Sequence, residues 1–294
     1  MGTQTADSGV RLMTGTPYKT DLPVMLPVRR PQGEGFALRL KLWHGLPILL
    51  VCLLTSTVGF AAGASGREPV FDTLLRWMPL LLKGFVFNLA ISVMSMAIGT
   101  LAGTVLGLGQ ISLHASVRRL SWFVTQFFRN APWLVLLFFA MFMLPFQIKL
   151  GFFSIPLPDW VKATIGLSLP VMANVSEIVR GAVKSLPSGQ WEAAESLAYT
   201  RQQTLWLIIL PQCIKRMLPP WMNLYSILTM ATVLASIVGV SEVMTLTGQV
   251  LSAEGGRSDL LAPFYSFVLL LFFAYCYPIA RWTVRLEKKY HVIT

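Results

Sequence analysis

Six apolar stretches, residues 46–63, 84–108, 122–146, 161–180, 217–240 and 262–282, divide the 294-residue chain. A helix needs about 17 to 25 apolar residues to cross a hydrocarbon core of roughly 30 Å, and irregular backbone is not tolerated against lipid. The pattern predicts an all-α integral membrane fold with six transmembrane helices. The fourth stretch is the least apolar, because it carries Lys162, Pro170, Asn174, Ser176 and Glu177. Residues 1–45 are rich in Gly, Pro, Thr and basic residues without periodicity and read as a disordered tail. The first apolar stretch begins too far behind that tail to be a cleavable signal peptide, so it is expected to remain as a helix.

An even number of spans puts both termini on one side of the membrane, and the distribution of Lys and Arg decides which. One arrangement leaves only Arg67, Arg76, Lys83, Lys149, Lys162 and Arg257 outside, six of the 24. Both termini are therefore expected in the cytoplasm, with residues 288–294 as a C-terminal tail, and omitting the fourth span would break the bias. Composition agrees: 54% of residues are hydrophobic, 13% are charged and mean hydropathy is +0.62. The net charge of +11 does not indicate nucleic acid, since the basic residues are scattered between apolar runs rather than gathered on one face. Cys52, Cys213 and Cys276 have neither metal-ligand nor redox spacing. Within the second span Gly99, Gly103 and Gly107 form a doubled G-x-x-x-G, a smooth stripe suited to close helix contact.

Between the fourth and fifth spans, residues 181–216 are much more polar. Ser185 to Ser188 supply a start signal for a helix over residues 190–199, and Thr200 with Gln203 forms a capping box for a second helix, which Pro211 and its neighbours should end. The loop is expected to be a helix-turn-helix on the cytoplasmic side.

Its sequence runs Glu192-Ala193-Ala194, three residues, Ala198, nine residues, then Ile208, Ile209, Leu210 and Pro211. This resembles the inner-membrane permeases of binding-protein-dependent ABC importers, whose loop signature is Glu-Ala-Ala, three variable residues, Gly, nine variable residues, then Ile-x-Leu-Pro. The flanking Ser176-to-Gly181 and Ser185-to-Ala194 segments, Leu218, Pro219, Pro220 and Asn223, and Phe128-Arg129-Asn130-Ala131-Pro132 are similar to the polar amino acid branch. The resemblance covers residues 80–287. It implies a core of five spans plus one extra N-terminal helix, and a coupling loop at residues 185–212 that docks into a separate cytoplasmic ATPase dimer through Glu192, Ala193, Ala194, Ala198, Ile208, Leu210 and Pro211. It also implies a second permease, self or sister, an extracytoplasmic solute-binding protein, and residence in a bacterial inner membrane. Glu192 near the helix N-terminus is stabilised there and suits a basic partner group, while the small alanines permit close approach. Ala198 stands where the family has glycine, and a left-handed backbone there would strain it by roughly 1 kcal/mol.

A phosphate-cradling G-x-x-x-x-G-K-S/T run is absent from the sequence, so ATP and Mg are expected on the partner subunit, with no catalytic set and no cofactor in this chain. Polar residues within spans are costly and mark candidate paths: Asn174, Glu177 and Arg180 in the fourth span, with Glu177 and Arg180 spaced to pair, and Asn223, Thr229, Thr232 and Ser236 in the fifth. Hydroxyls in such helices also bond back to their own backbone. Relatives carry charge where this chain has Met230 and Ala231, a tyrosine at Asn174 and a glutamine at Leu136, which fits either a different amino acid or a partner subunit that supplies the contacts. The alternative is an ion-coupled secondary transporter, but that class should show internal repeats with paired broken helices, and none is visible.

Overall fold

The computed structural model describes residues 68–150 and 153–290, so the expected tail and first span, residues 1–63, lie outside the described residues. The order is α1 (Val70–Gln110), α2 (Ala115–Asn130), α3 (Trp133–Met143), strands β1 (Gln147–Leu150) and β2 (Phe153–Pro156), α4 (Asp159–Lys184), α5 (Gly189–Ser196), α6 (Arg201–Gln203), α7 (Leu210–Ala231), α8 (Val243–Ala253) and α9 (Ser258–Tyr290). The protein is overwhelmingly helical, as expected. The antiparallel β1–β2 hairpin, which pairs Ile148 with Ile155, is the departure among the described residues.

Helices α1 and α4 run parallel and share the closest contact in the bundle. A Cβ on Gly99, Gly103 or Gly107 would stand 2.4–2.7 Å from Val171, the Met172 carbonyl or Val179 respectively, so the glycines are what allow this approach. The contact climbs one helical turn at a time and buries Val171, Val175 and Val179. Gly84 repeats the device further up α1, where a Cβ would lie 2.7 Å from Leu246 and 2.9 Å from the Val243 backbone of α8.

One apolar core unites α1, α3, α4 and α7 through Ile91, Leu137, Leu167, Val171 and Leu228. A second unites the first half of α1 with α8 and α9 through Leu81, Phe85, Val243, Leu260 and Phe264. Helices α1 and α9 are each long and apolar enough to cross a membrane, and α2 with α3 would make a third if taken as one broken span.

Three sequence expectations change. The stretch 122–146 is not a straight span, because α2 and α3 meet at 106°. Pro132 has no N–H to continue α2 and holds Ala131 extended, at φ −77° and ψ 138°. Pro211 does not end the second loop helix. A π-helical turn at Thr204–Ile209 widens the backbone, the Leu210 N–H bonds back to the Leu205 carbonyl, and the helix passes through Pro211 into α7. The fifth stretch narrows to a 3₁₀ turn at Thr232–Ser236 and breaks at Gly239, whose φ is +90°. Beyond it α8, unforeseen in the sequence, continues along α1 in the direction of α7, with Val243 against Gly84 and Glu254 accepting from Trp77.

Candidate functional site

The loop after α4 is built on its own small core of Ala182, Val183, Leu186, Ile209 and Cys213. The Arg216 guanidinium donates to the Ser185 carbonyl at 2.7 Å and to its hydroxyl at 3.0 Å, joining the end of α4 to the start of α7. Helix α5 ends in a Schellman motif: the Tyr199 N–H donates to the Ala194 carbonyl at 3.1 Å and the Ala198 N–H to the Glu195 carbonyl at 2.9 Å. That geometry needs a left-handed residue at Ala198, whose φ is +58°. The chain then restarts at the expected capping box, with the Gln203 N–H donating to Thr200 Oγ1 at 3.3 Å and the Thr200 N–H donating to Gln203 Oε1 at 2.9 Å.

Glu192, Ala193, Leu197, Ala198 and Tyr199 are exposed on the outer side of this turn, whereas Ala194 is buried. The two alanines therefore do different work: Ala193 offers a small outward surface and Ala194 seats α5 on the π-helical turn. Ile208 and Leu210 are half-buried and Pro211 is exposed. Trp191 carries the Arg201 guanidinium 5.1 Å from its ring centroid, a cation–π contact across the turn.

Above the loop, a cleft of about 590 Å³ opens between α2, α4 and α7 and gathers Asn174, Glu177, Arg180 and Asn223 from the sequence expectation. Glu177 is its electrostatic centre. Its carboxylate accepts two bonds from Arg180 on the next turn, lies 3.6 Å from Arg129 of α2, and accepts from Gln110 at 3.3 Å and Gln126 at 3.4 Å. Gln110 in turn donates to Ser176 at 2.8 Å and Thr125 at 3.1 Å, tying α1, α2 and α4 at one level. Arg129 and Arg216 line the cleft although sequence reasoning did not select them. The signal available for Arg129 was its place one turn before Pro132, where the chain had to bend.

Thr229, Thr232 and Ser236 do not line this cleft. Their hydroxyls donate to the carbonyls of Tyr225, Thr229 and Val233 at 2.9, 2.7 and 2.7 Å, relieving the helix as it tightens into the 3₁₀ turn. Thr232 also accepts from Asn88 at 3.0 Å. The same Asn88 amide donates to Glu242 at 2.9 Å and accepts from the Val243 N–H at 3.1 Å, while Glu242 caps α8 by accepting from the Met244 and Thr245 N–H groups.

Residues 95–291 match the family described as the inner membrane component of binding-protein-dependent transport systems. A probable amino-acid ABC transporter permease protein of Bacillus subtilis, YckA, is 36% identical over 225 residues, 76% of this chain and 95% of its own length. The inner membrane amino-acid ABC transporter permease protein YhdY of Escherichia coli is 31% identical over 71% of this chain, which spans 56% of that relative's length. Among solved structures, an amino acid ABC transporter crystallised with histidines superposes with a TM-score of 0.64 at 20% identity, covering 76% of this chain and all of that one, and so shares the fold. The chain belongs to the family of inner membrane components of binding-protein-dependent transport systems.

Proposed function

We propose that this permease carries an amino acid inward across a bacterial inner membrane, driven by a separate ATPase dimer that docks on residues 190–211. The observation that carries the proposal is the protruding α5 turn, on which Glu192, Ala193 and Ala198 of the loop signature stand exposed on a rigid base. Glu192 lies in the first turn of α5, where the helix end stabilises its charge and a basic group of the ATPase can meet it. ATP and Mg bind on that partner, and this chain takes no part in the hydrolysis. Six spans, counting residues 46–63, put both termini in the cytoplasm together with Arg129, Arg180, Lys184, Arg201, Lys215 and Arg216 at the loop end of the bundle. A second permease completes the path and an extracytoplasmic binding protein delivers the cargo. The cleft around Asn174, Glu177, Arg180 and Asn223 is the path's cytoplasmic section. The names of YckA and YhdY support an amino acid as the cargo class.

The test is a mild-detergent pull-down of the tagged chain from its native membranes beside a Glu192→Arg variant, with partners identified by mass spectrometry. An ATPase carrying the phosphate-loop motif, retained by the wild type and lost by the variant, is the expected outcome. Retention of the ATPase by both would remove Glu192 from the docking surface, and its absence from both would favour ion-coupled transport.

A further inference from the structure

Helix α2 does not run along the bundle, although its sequence was expected to open the third span. It meets α3 at 106°. It seats on the bundle along one edge, where Ser121 fits beneath Gly109 and Thr125 bonds Ser176 at 3.0 Å, and Gln126 and Arg129 beside that edge reach Glu177. Ser176 stands about 26 Å along α4 from Asp159 at 1.5 Å per residue, close to one hydrocarbon thickness. The transverse helix is therefore level with one membrane boundary, at the loop end.

At 100° per residue the remaining side chains of α2 divide into two flanks. Leu120, Phe123 and Phe127 fall on one and are 65%, 61% and 58% exposed, without cover from the bundle. Arg118, Gln126 and Arg129 fall on the other, with Arg119 between the two, and Trp122 is exposed beside Arg118. The helix has no acidic residue, and its N-terminus adds positive potential near Arg118 and Arg119. Arg118 donates to the Ser112 and Leu113 carbonyls, which are neutral partners, so its charge is not cancelled there. An apolar flank, a basic flank and a transverse axis at the boundary describe a helix lying in a lipid interface.

We infer that α2 is an interfacial helix of the permease that beds Leu120, Phe123 and Phe127 among acyl chains and binds anionic phospholipid headgroups through Arg118 and Arg119. The basic flank also reaches the cleft, since Gln126 and Arg129 at the far end of α2 from Arg118 contact Glu177. Lipid bound on one side of α2 thus bears on the carboxylate at the mouth of the path. This rests on the membrane placement of the permease, and not on the ATPase or the cargo.

The full chain is reconstituted in nanodiscs of phosphatidylcholine with phosphatidylglycerol, and the retained phosphatidylglycerol is quantified by native mass spectrometry. Arg119→Gln should weaken retention about fivefold and Arg118→Gln/Arg119→Gln about fivefold again, with the wild-type preference fading at high salt. In parallel, the quenching that Phe123→Trp adds to that of the wild type, whose nine tryptophans set the baseline, should be greater with lipids brominated near the headgroup than with lipids brominated at the chain ends. Unchanged phosphatidylglycerol retention in both arginine variants would overturn the inference. Deep quenching, which would stand α2 upright in the core, or no quenching, which would mean that a second permease copy covers the flank, would overturn it as well. Arg119 makes none of the contacts that hold α2 to the bundle, so misfolding does not obscure the single variant. Neither assay needs the ATPase, so failure here leaves the Glu192 experiment intact.

Discussion

Among the described residues Ala198 alone is a non-glycine with positive φ, and it sits at the one position of the Schellman motif that glycine normally occupies. A Cβ in the left-handed region costs about 1–2 kcal/mol, while glycine adds about 0.4–1 kcal/mol of unfolded-chain entropy, so the two effects nearly offset. Ala198→Gly should therefore stabilise the purified chain by no more than about 1 kcal/mol, seen as a small rise in unfolding midpoint in detergent. Ala198→Val, branched at Cβ, should lower it clearly and open the loop to proteolysis around residues 197–200. The ordering Gly, Ala, Val is the signature of left-handed strain. If valine were tolerated like alanine, the turn would not hold the backbone as described.

At the scale of elements, the glycine stripe decides how closely α1 and α4 approach. Gly103 is the tightest to relieve, because its Cβ would meet the Met172 carbonyl at 2.5 Å and Val175 at 2.7 Å, backbone and branched side chain rather than a flexible tip. Gly103→Val should separate the helices and cost about 1–3 kcal/mol or more by overpacking. Gly248→Ala in α8, where nothing lies within 4 Å, should gain about 0.5–1 kcal/mol from helix propensity alone. Unfolding of the two variants in the same detergent separates the effects of packing from those of backbone entropy. The stripe was legible in the sequence because small residues four apart leave little else to do in an apolar helix, and the capping box at Thr200 was legible because its bonds are local. The break at Pro132 was not, since averaging hydropathy over residues 122–146 hides one residue that removes a backbone donor. Nor was the passage of the helix through Pro211, because a π-helical turn depends on how Ile209 and Cys213 seat in the loop core. The set of Arg129, Gln126 and Gln110 around Glu177 joins residues far apart in sequence, and only the fold brings them together.

At the scale of the whole molecule, the two apolar cores share α1, one running to α3, α4 and α7 and the other to α8 and α9, and they also meet where the Tyr225 hydroxyl of α7 bonds the Tyr275 hydroxyl of α9 at 2.8 Å. Asn88 is a fully buried polar joint between them. From α1 it holds Thr232 at the end of α7 and Glu242 at the start of α8, across the break at Gly239. Asn88, Thr232 and Glu242 are fully buried. Each site can lose its bond only by leaving a partner unsatisfied in a dry interior, which costs about 1–3 kcal/mol and more for a charged group. Asn88→Leu should therefore destabilise strongly, because the Glu242 carboxylate loses the Asn88 amide and keeps only the α8 N–H groups and a long 3.5 Å bond from the Thr245 hydroxyl. Glu242→Gln should cost less, since the amide still caps α8 and presents no charge. Combined, the two should cost less than their sum by about 0.5–3 kcal/mol, because the double variant no longer buries an undersupplied carboxylate. Chemical unfolding of the four proteins in one detergent measures that difference. A cycle that closes to zero would mean that Asn88 and Glu242 act independently, and that α1 packing and the α7–α9 contact at Tyr225 and Tyr275 join the two cores without help from this pair.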